Sequence, residues 1–164
     1  MPFGKMLGSV GKTLTSVGAA AAIGLAPSAA KAGEQHNHAV LGVESTKHNS
    51  MVHLGVFHEL GHHLSLGLAT GVGADYHGSP VGSMEAIAAY HKTIRDGVFG
   101  VLEVGLGAEV LKGGHGVHAA PVAKLTGLLG YQATPSVGVY VGPSVIQTPN
   151  TTDVSLSVGT VLGF

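Results

Sequence analysis

The sequence predicts an all-β protein, an eight-stranded antiparallel up-and-down transmembrane β-barrel, and three observations lead to this fold class. Apolar residues alternate with small or polar ones in segment after segment, as in strands that have one apolar face. Only 10% of the 164 residues are charged, whereas a typical soluble domain has ~25%. The 27 glycines are frequent among the residues opposite the apolar face. A surface with so little charge is expected to face lipid or a partner.

The first 32 residues are predicted to be a secretory signal peptide, which leaves residues 33–164 as the barrel domain. Lys5 and Lys12 provide a positive start, and residues 17–26 form an apolar stretch. Ala30-Lys31-Ala32 has the A-x-A pattern of a cleavage site. A soluble Gly/Ala-rich helix is the alternative for this stretch. No other segment has 18 consecutive apolar residues, so no membrane-spanning helix is predicted.

The first four predicted strands are residues 38–45, 50–58, 63–76 and 83–91. The third shows the clearest alternation, because every second residue from Leu64 to Leu68 is leucine and the residues between are Ser and Gly. Residues 83–91 favour a helix at least as well as a strand. Only their position in the series assigns them to a strand.

The last four predicted strands are residues 98–111, 122–131, 136–146 and 152–164. In the first of these, Glu103 and Glu109 alternate with large apolar residues. The face opposite the apolar one is mostly Gly, Ser and Ala, which suits the narrow lumen of an eight-stranded barrel. Longer external loops and shorter internal turns are expected to alternate between the strands. The longest predicted loop, residues 112–121, falls at an external position, and the turn at residues 132–135 falls at an internal one.

The last segment supplies a resemblance to a known family. Val154, Leu156 and Val158 share one face of this segment, which ends on Phe164. This pattern resembles the carboxy-terminal signal of bacterial outer-membrane β-barrel proteins. The resemblance implies location in the bacterial outer membrane, contact with its lipid, and recognition of the last strand by the barrel assembly machinery. It implies a structural role or binding through the external loops, with no catalytic signature and no cofactor.

Aromatic residues depart from this family pattern. They make up only 5% of the chain, whereas barrels of this class usually have aromatic girdles. The few candidates for a girdle are Phe57, Tyr76, Tyr131 and Phe164.

A competing motif lies at His58-Glu59-Leu60-Gly61-His62. On a helix, the two histidines of H-E-x-x-H share a face and bind zinc, and the glutamate acts as general base. The motif resembles the active-site helix of zinc metallopeptidases, which implies His58 and His62 as zinc ligands and Glu59 as the base. Glu85 or His77 is then the candidate third ligand. This alternative describes a secreted or periplasmic enzyme.

The length of chain and the glycines weigh against the peptidase. Such a helix needs Gly55, Gly61 and Gly67 in its interior, at ~1 kcal/mol each relative to Ala. Only about 25 residues of the mature chain precede the motif, too few for the sheet that comes before this helix in metallopeptidases.

Histidines outside this motif are numerous, and six of them fall in the mature amino terminus or in predicted external loops. They are His36, His38, His48, His77, His115 and His118. Because imidazole binds Zn, Cu and Ni, a metal or ligand site at the external loops is one expectation. The other is that these histidines are simply polar loop residues.

Nucleic-acid binding is excluded by charge, because the formal net charge is −1 and no Lys/Arg cluster occurs. The chain has no cysteine, which excludes disulfides and thiolate chemistry. A third hypothesis is a Gly-rich subunit of a larger assembly, whose apolar faces pack on neighbouring subunits.

Overall fold

The computed structural model describes residues 37–61, 63–113 and 116–163, with only the backbone described for residues 112 and 113. The predicted signal peptide and its cleavage site lie outside the described residues. So do His36, His62, His115 and Phe164. The predictions for these positions therefore stay predictions.

Eight antiparallel strands form one closed barrel in sequence order, and β1 pairs with β8 to complete it. The strands are β1 (Asn37–Thr46), β2 (Asn49–Glu59), β3 (Leu64–Asp75), β4 (Pro80–Arg95), β5 (Val98–Gly113), β6 (Gly116–Thr134), β7 (Val137–Gln147) and β8 (Thr152–Gly163). The predicted fold class, an all-β eight-stranded up-and-down barrel, is confirmed. Residues 83–91, which also suited a helix, lie within β4.

Alternation along each strand separates an apolar outer face from a small and polar inner face. On β5, Leu102, Val104 and Leu106 point outward and are 52%, 51% and 64% exposed, while Glu103 and Gly105 face the lumen. The same phase holds on β3 and β8, where the predicted apolar stripes are exposed. The barrel therefore has apolar residues on the outside and buried polar groups inside. A soluble protein has the opposite arrangement.

The two ends of the barrel differ in what they contain. The termini end contains the beginning of β1, the end of β8 and the turns after β2, β4 and β6. The distal end contains the turns after β1, β3, β5 and β7. Two of these turns use glycines with positive φ, Gly78 (86°) at the distal end and Gly97 (74°) at the termini end. These are backbone conformations that residues with a Cβ rarely adopt.

The predicted external loop at residues 112–121 is wrong. β5 continues to Gly113 and β6 starts at Gly116, with the register Leu111↔His118 and Gly113↔Gly116. The glycine-rich sequence suggested a loop, but β5 and β6 pair as far as Gly113↔Gly116, and this pairing satisfies the backbone groups. Pairing of β6 with β7 begins only at Ala123↔Gln147. The first part of β6, from Gly116 to Val122, therefore projects beyond the end of β7.

The placement of Phe57 in an aromatic girdle is also wrong. Phe57 is 3% exposed and points into the lumen, because it shares the inward phase of β2 with His53 and Gly55. Tyr76 and Tyr131 are exposed, beyond or near the end of a strand, as a girdle requires. Among the described residues, no helix is both long enough and apolar enough to cross a membrane.

Candidate functional site

A group of charged side chains crosses the middle of the lumen. Lys124 on β6 donates a hydrogen bond to Glu44 on β1, and its Nζ lies 3.7 Å from Glu85 Oε2 on β4. His53 Nε2 on β2 lies 3.6 Å from Glu44 Oε2. The side chains of Glu44 and Glu85 are only 3% and 4% exposed. One ammonium group thus connects the wall strands β1 and β4 through the interior of the barrel.

Three aromatic side chains, Phe57, Phe99 and Tyr140, point into the lumen between these charges and the termini end, and each packs against glycines of nearby strands. A methyl group added to Gly42 or Gly159 would collide with the Tyr140 hydroxyl, and one added to Gly130 would overlap the Phe99 ring. Phe57 packs in the same way against Gly67. The aromatic content is low, and part of it occupies the interior, where glycine leaves room for a flat ring in a narrow barrel.

Only a small cavity of about 50 Å³ remains at the level of these charged groups, lined by Glu44, Glu85, Glu103, Lys124 and Tyr140 among others. It has room for a few water molecules. Packed aromatic rings and ion pairs therefore block the lumen at this level.

A larger cavity of about 300 Å³ opens at the termini end, and we call it the vestibule. Its lining includes His38, Glu59, His91 and Glu103. The His38 ring stacks on Phe57 with ring centroids 5.0 Å apart. The sequence analysis did not single out His91 or Glu103 as site residues. For Glu103 the alternation of β5 was the available signal, whereas the ambiguous residues 83–91 gave none for His91.

The distal end presents an exposed patch of imidazole and phenol rings, which we call the distal patch (His48, Tyr76 and His77). The Tyr76 and His77 ring centroids are 4.1 Å apart, and those of His48 and Tyr76 are 6.3 Å apart. Asp153 lies beside this patch, 3.3 Å from Lys47 and 3.5 Å from His48. His118 is exposed on the projecting part of β6. The structure thus places three of the predicted external histidines at one end of the barrel.

The peptidase interpretation requires a helix at residue 58, and the structure has a strand there. His58 and Glu59 are the last two residues of β2 and face opposite sides of the wall. His58 Nδ1 is 2.8 Å from Asn37 Oδ1. The predicted strand at residues 50–58 is present and the helix of the alternative is not, because β2 keeps its alternation and pairs with β3 as far as Glu59↔Ser65.

The candidate third ligands are also far from His58 in the fold. Glu85 points into the lumen, whereas His58 lies on the outer face. His77 lies in a turn at the distal end, and His58 lies near the termini end. Within the part of the chain that the structure describes, no group of three or more His, Asp or Glu side chains is arranged to hold a metal ion.

Comparisons with known proteins bear on the fold. No protein-family model matches the sequence, and the search of curated proteins gives no significant match. Solved structures do match. The N-terminal β-barrel domain of Pseudomonas aeruginosa OprF aligns with a TM-score of 0.66 at 16% identity, over 79% of this chain and 98% of that one. Neisserial surface protein A (NspA) aligns with a TM-score of 0.55 at 17% identity, over 78% and 94%.

A de novo designed transmembrane β-barrel also aligns, with a TM-score of 0.55 at 13% identity, over 80% of this chain and 98% of the design. At these identities the matches concern the fold. They agree with the closed eight-stranded barrel that the strand pairing shows.

Proposed function

We propose that this chain is a small β-barrel protein of the bacterial outer membrane, with a structural role or a binding role at its distal end. The observation that carries the proposal is the inverted distribution of polarity. Leu and Val side chains cover the outside of the closed barrel, and Lys124, Glu44 and Glu85 are buried inside. Lipid around the barrel would stabilise such a surface, whereas water would penalise every exposed apolar stripe.

The height of the apolar surface supports this location. The outward residues from Leu102 to Val110 on β5 cover about 27 Å of strand at ~3.4 Å per residue. At the ~40° tilt usual for such strands, this spans about 20 Å along the membrane normal, close to the ~25 Å band of outer-membrane barrels. On this proposal, outer-membrane lipid contacts the belt, by which we mean the exposed Leu and Val side chains on the outside of the barrel. The barrel assembly machinery recognises the outward stripe of β8 that leads to Phe164.

A porin function is disfavoured by the contents of the lumen. Tyr140 and the Lys124 ion pairs occupy the level at which a solute would have to pass, and the cavity left there is about 50 Å³. Without a porin function, the protein has a structural role or a binding role that depends on the groups exposed at the distal end.

Two features of the distal end favour binding. The distal patch exposes three ring side chains, which supply large contact areas and hydrogen bonds. The projecting part of β6, from Gly116 to Val122, leaves backbone groups on the side not paired with β7. An extended segment of another protein can add to such an edge as a further strand. Pro121 limits the added strand to the residues before it, because proline has no N–H.

The proposal is tested by expressing all 164 residues, including the predicted signal peptide, in a Gram-negative bacterium and separating the two membranes on a density gradient. We expect the protein in the outer-membrane fraction, without equimolar zinc and without pore conductance in planar bilayers. Recovery in the periplasm with one tightly bound zinc per chain would support the peptidase instead. Surface binding is tested by deleting residues 114–119, which should reduce cell adhesion to protein-coated surfaces and leave the barrel intact, because the deletion removes the projecting edge of β6 but keeps the distal patch.

A further inference from the structure

The vestibule at the termini end combines an apolar wall with carboxylates. Its wall includes Phe99, Val101, Leu128 and Val161, and its lining also contains Glu59 and Glu103. We propose that the vestibule binds a small organic cation, an amine with an apolar body, whose ammonium group pairs with Glu103. This inference concerns the inner surface of the barrel and does not depend on the binding role proposed for the distal end.

Glu103 is the anchor of this site because no described residue is in hydrogen-bond or ion-pair contact with its carboxyl group. It lines both the vestibule and the smaller cavity beneath it. With the other described residues, it forms no hydrogen bond and no ion pair. Lys124 is near enough to interact electrostatically with Glu103, but its ammonium group contacts Glu44 and Glu85.

Charge in this part of the lumen is unbalanced. Glu44, Glu85 and Glu103 line the cavity beneath the vestibule together with a single lysine, Lys124, so carboxyl groups outnumber ammonium groups three to one at this level. An uncompensated charge in a low-dielectric interior is costly. A cation that enters from the vestibule would reduce this cost at Glu103, the most accessible of the three carboxylates.

The lining of the vestibule has the same sign of charge. Among its described residues, Glu59 and Glu103 are the acidic ones and no Lys or Arg is present. His38 and His91 provide imidazole hydrogen-bonding groups on the same wall. A bound anion would therefore lie near carboxyl groups both in the vestibule and in the cavity beneath it and would be repelled. A cation in the same place would be attracted.

The size and walls of the vestibule select the kind of cation. A volume of about 300 Å³ is at the lower limit of ligand pockets, ~300–1,000 Å³, and so fits a small molecule. Phe99 and Tyr140 both line the site, and aromatic faces attract ammonium groups within ~6 Å of the ring. A bare metal ion is a poorer match, because the described residues contain no cluster of three or more side chains that could hold one.

The test uses the full barrel refolded in detergent micelles, with backbone amide NMR as the readout. The probes are phenethylamine, which is a cation at neutral pH, and the neutral 2-phenylethanol of nearly the same shape. We expect saturable shifts with phenethylamine at vestibule positions such as Ser65, Gly138 and Val161. We expect at least tenfold weaker binding of 2-phenylethanol.

Glu103→Gln should weaken phenethylamine binding at least tenfold. Glu109→Gln is the matched control, because Glu109 lies on the same strand and face but outside the vestibule, and it should leave the affinity unchanged. The amide spectrum of each free variant verifies that it is folded. Equal affinity for the two probes, equal affinity of E103Q and the wild type, or shifts confined to the outer face would overturn the proposal.

Discussion

Lys124 on β6 and Glu44 on β1 are joined by a hydrogen bond across the lumen, although their strands are not neighbours in the barrel. The same ammonium group lies 3.7 Å from Glu85 on β4. Interstrand pairing holds each strand only to its neighbours, whereas this contact links strands across the lumen. It therefore resists changes in the cross-section of the barrel.

Removal of the lysine should destabilise the barrel strongly. Lys124→Met leaves two buried carboxylates without their cation, which costs about 3–5 kcal/mol when one partner of a buried pair is removed. Urea unfolding of the barrel in lipid vesicles measures the change. The double variant Lys124→Met/Glu44→Gln should recover part of the loss, because one of the unpaired charges is then absent.

Lys47→Met is the control for this series. The Lys47 side chain is 68% exposed and pairs with Asp153 at the distal end, so we expect a change below about 1 kcal/mol. Equal losses for the two lysine variants would show that the buried ion pair contributes nothing particular to stability.

A methyl group at Gly130 should be poorly tolerated. In Gly130→Ala the new Cβ would overlap the Phe99 ring, and we expect a destabilisation of about 1–3 kcal/mol from overpacking. Gly127→Ala on the same strand is the control, because no described atom lies within 4 Å of a Cβ added there. Vesicle unfolding measures both variants, and a loss for Gly127→Ala as large as that for Gly130→Ala would refute the packing of Phe99 against Gly130.

A charged residue on the outer face should destabilise the barrel strongly at mid-height and only slightly on the projecting part of β6. Leu106→Arg places a guanidinium in the middle of the belt, at a cost of about 2–4 kcal/mol in a bilayer. Val117→Arg, on the projecting part of β6, should cost less than about 1 kcal/mol. If unfolding in vesicles gave the same free energies for both, the belt would not lie in lipid.

Alternation in the sequence predicted most of the strands and their faces, whereas residues 83–91 of β4 were assigned to a strand only by their position in the series. Each large residue of the stripe from Leu102 to Leu106 points outward, as its phase predicts. The same alternation places Phe57 on the inner face of β2 with His53. Its assignment to an aromatic girdle came from the family resemblance and ignored this alternation. The extent of β5 and β6 was harder to predict, because glycine near residue 114 signals a turn but does not fix where pairing stops.

Contacts across the lumen could not be predicted in this way. Phase shows that Glu44, Glu85 and Lys124 point inward. Which of them meet depends on the stagger between strands and on the closure of β1 onto β8, and neither is encoded in a single segment. The H-E-x-x-H motif shows the converse. Its spacing is chemically meaningful only on a helix, and pairing of β2 with β3 places His58 and Glu59 on opposite faces.

The central claim is that the chain forms a closed barrel in a membrane, and gel mobility of the membrane-extracted protein tests it most directly. A closed barrel resists detergent without heat, so the unboiled sample should migrate faster than the boiled one. Zinc measured on the same sample should be well below one ion per chain. A soluble protein with the same mobility in both samples would contradict the account.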